Sequence, residues 1–135
     1  MPTLALPVSW AVALPPGSPM VVAAGCLAGV LLAAIWTRPA LYLIEGPSML
    51  PTLEPGTLAL GIRAYRVRPG QIVVARDPLG PGLTVKRVTY VRHPSLVWLV
   101  GDNMRCSADS RTWGWVDRRE IVARVVLAVK PWQSG

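Results

Sequence analysis

The sequence is poor in the residues that metal centres and histidine-based catalysis need. Its 135 residues include one histidine, two cysteines and seven acids. Cys26 lies in a long apolar run and Cys106 in a polar segment, so the two thiols are not expected to meet. We therefore predict no disulfide, no metal cluster and no cofactor. The single histidine, His93, stands in the turn Arg92-His93-Pro94-Ser95, where a solvated turn residue is the expected role.

Charge is also missing from the N-terminal part, since no charged side chain occurs from Met1 to Thr37. Within it, Met20 to Trp36 is an unbroken apolar or glycine run, at the short end of what crosses a hydrocarbon core of about 30 Å. This pattern predicts an apolar segment at residues 1–19, a transmembrane anchor at 20–37 and a folded domain at 38–135.

Three alternatives to an anchor are open. A cleaved signal peptide is disfavoured by the absence of a basic start and by the length of the apolar run. A lipoprotein site at Cys26 is disfavoured because apolar residues continue well past it. A buried core helix would need more protein around it than the remainder of the chain offers.

The rest of the chain is basic, because all fourteen Lys and Arg lie after the apolar run and the net charge is +7. Such a surface favours membrane lipid as a partner beside an anchor. There is no helix-turn-helix pattern, zinc-finger spacing or basic stripe interleaved with aromatics, so no nucleic-acid partner is predicted. Arg38 follows the run and by the positive-inside rule would retain the C-terminal part in the cytoplasm. That rule weakens ahead of a large folded domain, so sidedness stays open at this point.

The folded part is predicted to be mainly β, a small barrel or sandwich behind an N-terminal transmembrane helix. Short runs rich in Val, Ile, Leu and Tyr alternate with Gly and Pro turns. In the last run, alternation predicts that Ile121, Ala123, Val125, Leu127 and Val129 share one face. The six predicted strands are Leu41–Ile44, Thr57–Ile62, Gln71–Ala75, Leu83–Val91, Ser95–Val100 and Ile121–Val129.

Three segments of this domain carry candidate chemistry, and the first is Glu45 to Gly56. Proline fixes its own φ and restricts the residue before it, so Gly46 and Leu50 are predicted to be extended. Ser48 between them is then held with little backbone freedom. The ordinary alternative is a strand connection whose serine bonds its own turn.

A serine nucleophile needs a base, and with His93 in a turn the alternative is a lysine whose pKa burial lowers. Lys86 lies in the middle of a predicted strand, on the face shared by Thr84, Val88 and Tyr90. It would be a buried amine if that face is the core face. The ordinary alternative is an edge-strand lysine that faces water.

The third segment, Gly101 to Gly114, is denser in Asp, Asn, Ser and Arg than a generic hairpin. Each of these side chains can bond loop backbone or pair with a neighbour. In the ordinary alternative it is a polar surface loop, with Asp109 and Arg111 as a surface pair.

Together these segments resemble bacterial type I signal peptidases and their mitochondrial inner-membrane relatives, which are membrane-anchored serine proteases of the Ser-Lys type. Four boxes match in order behind the anchor: Gly46–Leu53, Pro69–Val74, Val85–Val88 and Gly101–Gly114. The resemblance implies that Ser48 is the nucleophile and Lys86 the general base. It also implies that Ser107 orients the lysine amine, that Asp109 and Arg111 hold the site loop, and that the Ser48 backbone N–H donates to the oxyanion.

The chain departs from the family pattern at three places. Gln71 stands where the family usually has Asp, and Gly46 stands where some members have a serine that assists the oxyanion. The second oxyanion donor is therefore open. The short interval between Lys86 and Gly101 leaves a minimal core, typical of small signal peptidases, of mitochondrial-type peptidases and of dedicated maturation proteases such as those that trim nickel superoxide dismutase precursors.

The resemblance further implies cleavage after small residues, typically in an Ala-x-Ala pattern, in precursors with a cleavable N-terminal signal or propeptide. It implies a catalytic domain on the extracytoplasmic side of the cell membrane. Two other functions stay open. One is a membrane-tethered basic β domain that binds lipid or an acidic partner without catalysis. The other is self-cleavage, as in SOS-repressor proteases with the same Ser-Lys chemistry.

Overall fold

The structure, a computed structural model, describes residue 15 and residues 17–92 and 94–131. The chain divides between Ile35 and Trp36 into two units. Most of the predicted apolar segment 1–19, and the predicted turn role of His93, lie outside the described residues.

Helix α1 comprises Pro19–Thr37. Its start is typical of a helix N-terminus, because the hydroxyl of Ser18 accepts a hydrogen bond from Val21 N at 3.4 Å and Pro19 takes the first helical position. The helix is apolar on all sides, yet none of its residues is buried. Its 19 residues extend over about 28 Å. By length and composition alone, α1 could cross a membrane.

The second unit is a single antiparallel sheet of seven strands, curled into a half-barrel. The spatial order is β1-β2-β7-β3-β4-β5-β6, so β1 and β6 are the edges and β4 lies inside the sheet. The mainly β fold predicted from the sequence is confirmed, in the half-barrel form rather than as two facing sheets. The strands are β1 Ala40–Leu43, β2 Leu58–Ile62, β3 Ile72–Arg76, β4 Leu83–Arg92, β5 Leu96–Val100, β6 Val116–Asp117 and β7 Ile121–Val129.

Two clusters of buried side chains form the core. The larger one packs residues from β3, β4, β5, β6 and β7 together with one residue of the loop after β2: Val67, Val73, Ala75, Val88, Val97, Leu99, Val116 and Ile121. The smaller one packs the segment between β1 and β2 against the sheet, and its buried members are Ile44, Met49, Leu53 and Ala59. This smaller cluster fixes the segment that carries Ser48.

Strand β7 departs from the predicted alternation. Its pairing shifts register opposite Leu60 and Gly61 of β2, and again opposite Val74 and Ala75 of β3. Each shift marks a bulge, which inserts one residue and reverses the faces of those that follow. The predicted apolar face is therefore correct only for the first part of the strand: Ile121 and Ala123 are buried and Val125 packs against the smaller cluster, whereas Leu127 and Val129 are exposed.

Short elements between β5 and β7 were not predicted. Ser110–Trp113 forms the one-turn helix α2, Val116–Asp117 forms β6, and Arg118–Glu120 forms a 3₁₀ turn. Both turns are started by an aspartate whose carboxylate accepts a backbone N–H two residues on, Asp109 in the first and Asp117 in the second. Elements this short have no periodic pattern to detect.

Candidate active site

The segment Glu45 to Gly56 contains a 3₁₀ turn at Pro47–Met49, with Ser48 at its centre. Gly46 before it (φ −96°, ψ 162°) and Leu50 after it (φ −62°, ψ 145°) are both extended. This confirms the conformations that the two prolines predict for them. The side chain of Met49 is fully buried and anchors the turn in the smaller core cluster, while Ser48 is half-buried.

The base of this segment is closed by backbone hydrogen bonds. Gly56 N donates to Ile44 O at 2.7 Å, and Ile44 N donates to Thr57 O at 2.9 Å. Gly56 adopts a positive φ of 87°, which glycine allows without steric penalty. The serine is thus presented on a short closed loop and not on a mobile connection.

Lys86 lies inside the sheet on β4 and is only 3% exposed. It shares a face with Val88, and across the strand pair it faces Val73, both of which are fully buried. The water-facing edge lysine considered above is thus excluded. Among the residues that the structure describes, the amine has no hydrogen-bond or ion-pair partner.

Burial lowers the pKa of the Lys86 amine, because desolvation disfavours its charged form. The negative charges of Asp109 and Asp77 oppose this effect, and the positive charge of Arg111 adds to it. The net pKa lies below the ordinary value of a lysine. A neutral amine is the form that can accept a proton.

Gly101, the first residue after β5, is the point where the three candidate segments meet. A Cβ placed there would lie 2.7 Å from Ser48 O and 2.2 Å from Ser107 Oγ. Arg87 pairs with Val100, so one step further along the antiparallel register Gly101 comes opposite Lys86. Glycine therefore allows Ser48, Ser107 and the lysine strand to approach one another.

Asp109 organises the loop behind Gly101. Its fully buried carboxylate accepts hydrogen bonds from Gly101 N at 2.9 Å and Ser107 Oγ at 2.7 Å. It also forms a two-pronged ion pair with the Arg111 guanidinium at 2.9 and 2.7 Å. Burial alone raises the pKa of the Asp109 carboxyl, but the hydrogen bonds from Arg111, Gly101 and Ser107 hold it well below its usual value.

A second ion pair joins the loop to β4. Arg87 donates to both carboxylate oxygens of Asp102, at 2.8 and 2.7 Å, and its third nitrogen donates to Gly70 O at 2.7 Å. Asp102 also accepts from the hydroxyl of Thr52 at 2.5 Å. The hydrogen bonds from Arg87 hold the pKa of the Asp102 carboxyl below its usual value. This network connects the lysine strand to the serine segment.

Asn103 completes the connection. Its backbone N–H donates to Ser48 O at 2.9 Å and its side-chain amide donates to Pro47 O at 3.1 Å. The backbone on both sides of the Ser48 Cα is therefore tied to the loop after β5, directly or through Pro47.

The predicted site residues thus converge, with one difference from the expectation for Ser107. Its hydroxyl donates to Asp109, and among the described residues no hydrogen bond joins it to Lys86. In the same described part of the chain, none joins the Ser48 hydroxyl to the Lys86 amine. Asp109 and Arg111 are paired with each other, although Asp109 is fully buried and is not part of a surface pair.

Sequence reasoning missed the residues that hold the segments together: Thr52, Arg87, Gly101, Asp102 and Asn103. The signal for two of them was weak but present. Arg87 follows Lys86 in the same strand, so alternation places the two side chains on opposite faces of the sheet. Asp102 is the first acidic residue after the following strand, β5. Asn103 is the asparagine of the polar segment Gly101 to Gly114, but its bonding partner could not be read from the sequence, and nothing local to Thr52 marks that residue.

Comparison with known proteins bears on this arrangement. The family model described as signal peptidase, peptidase S26, matches residues 93–132. Mitochondrial inner membrane protease subunit 1 of Xenopus tropicalis is 31% identical over 115 residues, covering 67% of this chain and 68% of that protein. The chain belongs to the signal peptidase family. It is accordingly a peptidase, and the apolar helix and the membrane-protease relatives both indicate association with a membrane.

Other relatives agree with this assignment. Mitochondrial ATP-independent inner membrane protease subunit 1a of Arabidopsis thaliana is 31% identical, covering 65% of this chain and 68% of that protein. Mitochondrial inner membrane protease subunit 1 of Homo sapiens is 28% identical, covering 64% and 67%. The family model matches the part of the chain that contains β5, the Gly101 to Gly114 loop and β7.

Proposed function

We propose that the chain is a membrane-anchored serine endopeptidase that removes N-terminal signal peptides from exported precursors after small residues. Ser48 acts as nucleophile and Lys86 as general base, residues 38–135 form the catalytic domain, and residues 20–37 form the anchor. The observation that carries this proposal is Lys86: a buried amine, without an ion-pair partner in the described part of the chain, whose strand borders the same glycine as Ser48.

The chemistry begins with proton transfer from the Ser48 hydroxyl to the neutral Lys86 amine as Ser48 Oγ attacks the scissile carbonyl carbon. The C–N bond then breaks, Lys86 returns the proton to the leaving amine, and an acyl-enzyme ester remains on Ser48. In uncomplexed enzymes, the hydrogen bond between nucleophile and base is often long and tightens in the substrate complex. The absence of a direct Ser48–Lys86 hydrogen bond in the structure is compatible with these reaction steps.

Deacylation uses the same two groups. Lys86 takes a proton from a water molecule, the resulting hydroxide attacks the ester carbon, and Ser48 leaves with the proton returned by Lys86. The oxyanion of each tetrahedral intermediate accepts a hydrogen bond from the Ser48 backbone N–H. Ser107, Asp109 and Arg111 position the loop that borders the base, through the bonds described above.

The resemblance to signal peptidases supports precursor proteins as substrates and the extracytoplasmic side of the cell membrane as the location. The length and apolar composition of α1 support the anchor. The relatives are named as proteases of the mitochondrial inner membrane, and a membrane-bound peptidase acting on precursors fits that pattern.

The nucleophile and base are tested with Ser48→Ala and Lys86→Met in full-length protein reconstituted in vesicles with a precursor bearing an Ala-x-Ala site. We expect each substitution to lower kcat by about 10⁴-fold or more, because either group is required for acylation. Ser95→Ala is a matched control outside the site and should cleave normally. Lys130→Met is the lysine control: it removes the ion pair of Lys130 with Glu54 at the end of the serine segment, so its kcat should fall far less than that of Lys86→Met. Thermal unfolding checks that the variants fold. Cleavage by Ser48→Ala or Lys86→Met near the control rate would refute that residue's role, and inactivity of every form would favour a non-catalytic tethered domain.

Sidedness is tested through Cys106, which is exposed in the loop after β5. With Cys26→Ala removing the other thiol, a membrane-impermeant maleimide should label Cys106 in intact spheroplasts without detergent. Labelling only after permeabilisation would place the domain in the cytoplasm.

The client range is tested by deleting the gene and surveying precursors. Many accumulating precursors would support general signal-peptide removal, whereas a single one would identify a dedicated maturation protease.

A further inference from the structure

A basic cleft lies where α1 ends, away from the candidate active site. Its volume is about 390 Å³, and three of its lining residues are arginines: Arg63 and Arg66 from the loop after β2, and Arg124 from β7. The other walls are mostly apolar or aromatic, formed by Trp36, Thr37, Ile62, Ala64 and Tyr65. The cleft thus combines clustered positive charge with an apolar surface.

The loop that carries two of these arginines is bonded to the last residues of α1. Arg63 N donates to Thr37 O at 2.6 Å, and the Tyr65 hydroxyl donates to Trp36 O at 3.4 Å. These carbonyls belong to the end of a helix, where the backbone has no intrahelical donor left to bond. The cleft is therefore fixed at the position where the apolar run stops and the polar chain begins.

The three arginines are not used for ion pairs. Among the described residues, Arg63, Arg66 and Arg124 have no carboxylate partner, and the Arg63 guanidinium lies 5.1 Å from the centre of the Tyr65 ring. Some arginines elsewhere in the domain are paired, as Arg76 is with Glu120 and Arg119 with Asp117. What distinguishes Arg63, Arg66 and Arg124 is that all three line the same cleft. Arginines that line one cleft and have no carboxylate partner in the described part of the chain can bind an anion there.

We propose that this cleft binds the phosphate of an anionic phospholipid headgroup. The proposal rests on the anchor of the proposed function, because α1 brings the cleft to the membrane surface only if it spans the bilayer. Guanidinium groups bind phosphate oxygens through paired hydrogen bonds, and Trp and Tyr are the aromatic residues enriched at the membrane interface. The apolar walls suit the glycerol and first acyl carbons. A nucleic acid or an acidic peptide would not need those walls.

The test uses the full chain purified in a neutral detergent and titrated with short-chain phosphatidylglycerol, short-chain phosphatidylcholine or inorganic phosphate. Bound ligand is counted by native mass spectrometry. Phosphatidylglycerol should bind about tenfold or more tightly than phosphatidylcholine, since each basic residue near anionic lipid contributes to binding. It should also bind more tightly than free phosphate, which cannot use the apolar walls. Equal binding of phosphate and phosphatidylglycerol would overturn the lipid assignment.

The triple variant Arg63→Gln, Arg66→Gln, Arg124→Gln should weaken phosphatidylglycerol binding by about tenfold or more. The control triple Arg76→Gln, Arg105→Gln, Arg119→Gln removes the same charge elsewhere and should change it less than about threefold. Equal losses in both triples would reduce the effect to net charge and overturn the site. If the first triple does not fold, Arg66→Gln alone, at an exposed position, should still lower binding about threefold, and no change there would also overturn it.

The anchor is checked separately by alkaline carbonate extraction of membranes. Release of the chain by alkali would overturn both the anchor and the lipid site. Retention in the membrane together with unchanged lipid binding in the arginine triple would overturn the lipid site alone. Peptidase activity is not a readout in either experiment, so the catalytic proposal is judged independently.

Discussion

Substituting Gly101 by alanine tests whether this residue sets the geometry of the site. Its φ lies outside the left-handed region, so the effect of a methyl group is steric. Ordinary contact begins at 3.4 Å, whereas the new Cβ would lie 2.7 Å from Ser48 O and 2.2 Å from Ser107 Oγ. The Ser107 hydroxyl can rotate away only by breaking its bond to Asp109, and Ser107 Cβ, 2.6 Å from the new methyl group, is not moved by that rotation. The Ser48 oxygen belongs to the backbone, is held by Asn103 N, and has to retreat by about 0.7 Å.

A displacement of about 1 Å in a reacting group lowers the rate by about 10²-fold, so we expect Gly101→Ala to lower kcat/KM on a precursor peptide by roughly that factor. Overpacking should also lower the free energy of unfolding by about 1–3 kcal/mol. The matched control is Gly82→Ala, where a Cβ would meet no atom within 4 Å. If kcat/KM and Tm of Gly101→Ala both equal the wild-type values, the site tolerates the methyl group and the reasoning is refuted. If Tm falls but kcat/KM does not, the strain does not reach Ser48 and the predicted effect on the nucleophile is refuted.

Three further predictions concern the surroundings of the base, the second ion pair and the oxyanion. Asp77 raises the pKa of Lys86, so Asp77→Asn should lower that pKa and move the acidic limb of the kcat/KM profile to lower pH; a limb that moves up or stays would contradict it. Asp102→Asn should lower the free energy of unfolding by about 1.5–3 kcal/mol in denaturant titrations. Adding Arg87→Gln should then lower it further only by about 0.5–1.5 kcal/mol, the contribution of the Arg87 bond to Gly70 O, and a second loss as large as the first would contradict the coupling of the pair. A Cβ at Gly46 would meet no atom within 4 Å, so Gly46→Ser should fit and raise kcat by about tenfold by adding an oxyanion donor; an unchanged kcat would show that the hydroxyl does not reach the oxyanion.

Local chemistry accounts for the features predicted correctly from the sequence. The six longer strands were located to within a residue or two, because branched residues alternate between turns of Gly and Pro, and both properties are read along the chain. The extended conformations of Gly46 and Leu50 follow from steric restriction by the next residue, which needs no tertiary contact. The charge-free run predicted α1 because its length and apolar composition are also read along the chain, without any tertiary contact.

The candidate site shows where that reasoning ends. Alternation placed Lys86 on one face of a strand, but it could not say whether that face was covered, since this depends on β4 lying between β3 and β5. In β7 alternation grouped Leu127 and Val129 with the buried Ile121 and Ala123, but the pairing shifts register at two bulges and the last residues of the strand are exposed. Bulges depend on the partner strands, and these come from distant parts of the sequence.

The sequence by itself therefore determined the long helix, the six longer strands, the rigid serine turn and the chemical groups available for catalysis. Only the tertiary structure decided that the lysine is buried and that Gly101 is where the three segments meet. Only the tertiary structure shows, too, that Arg87 and Asp102 connect the lysine strand to the serine segment through their ion pair and the Thr52 hydroxyl. The physical reason is that turns and alternation arise between neighbours in the chain, whereas burial and side-chain pairing arise between residues that only the sheet order brings together.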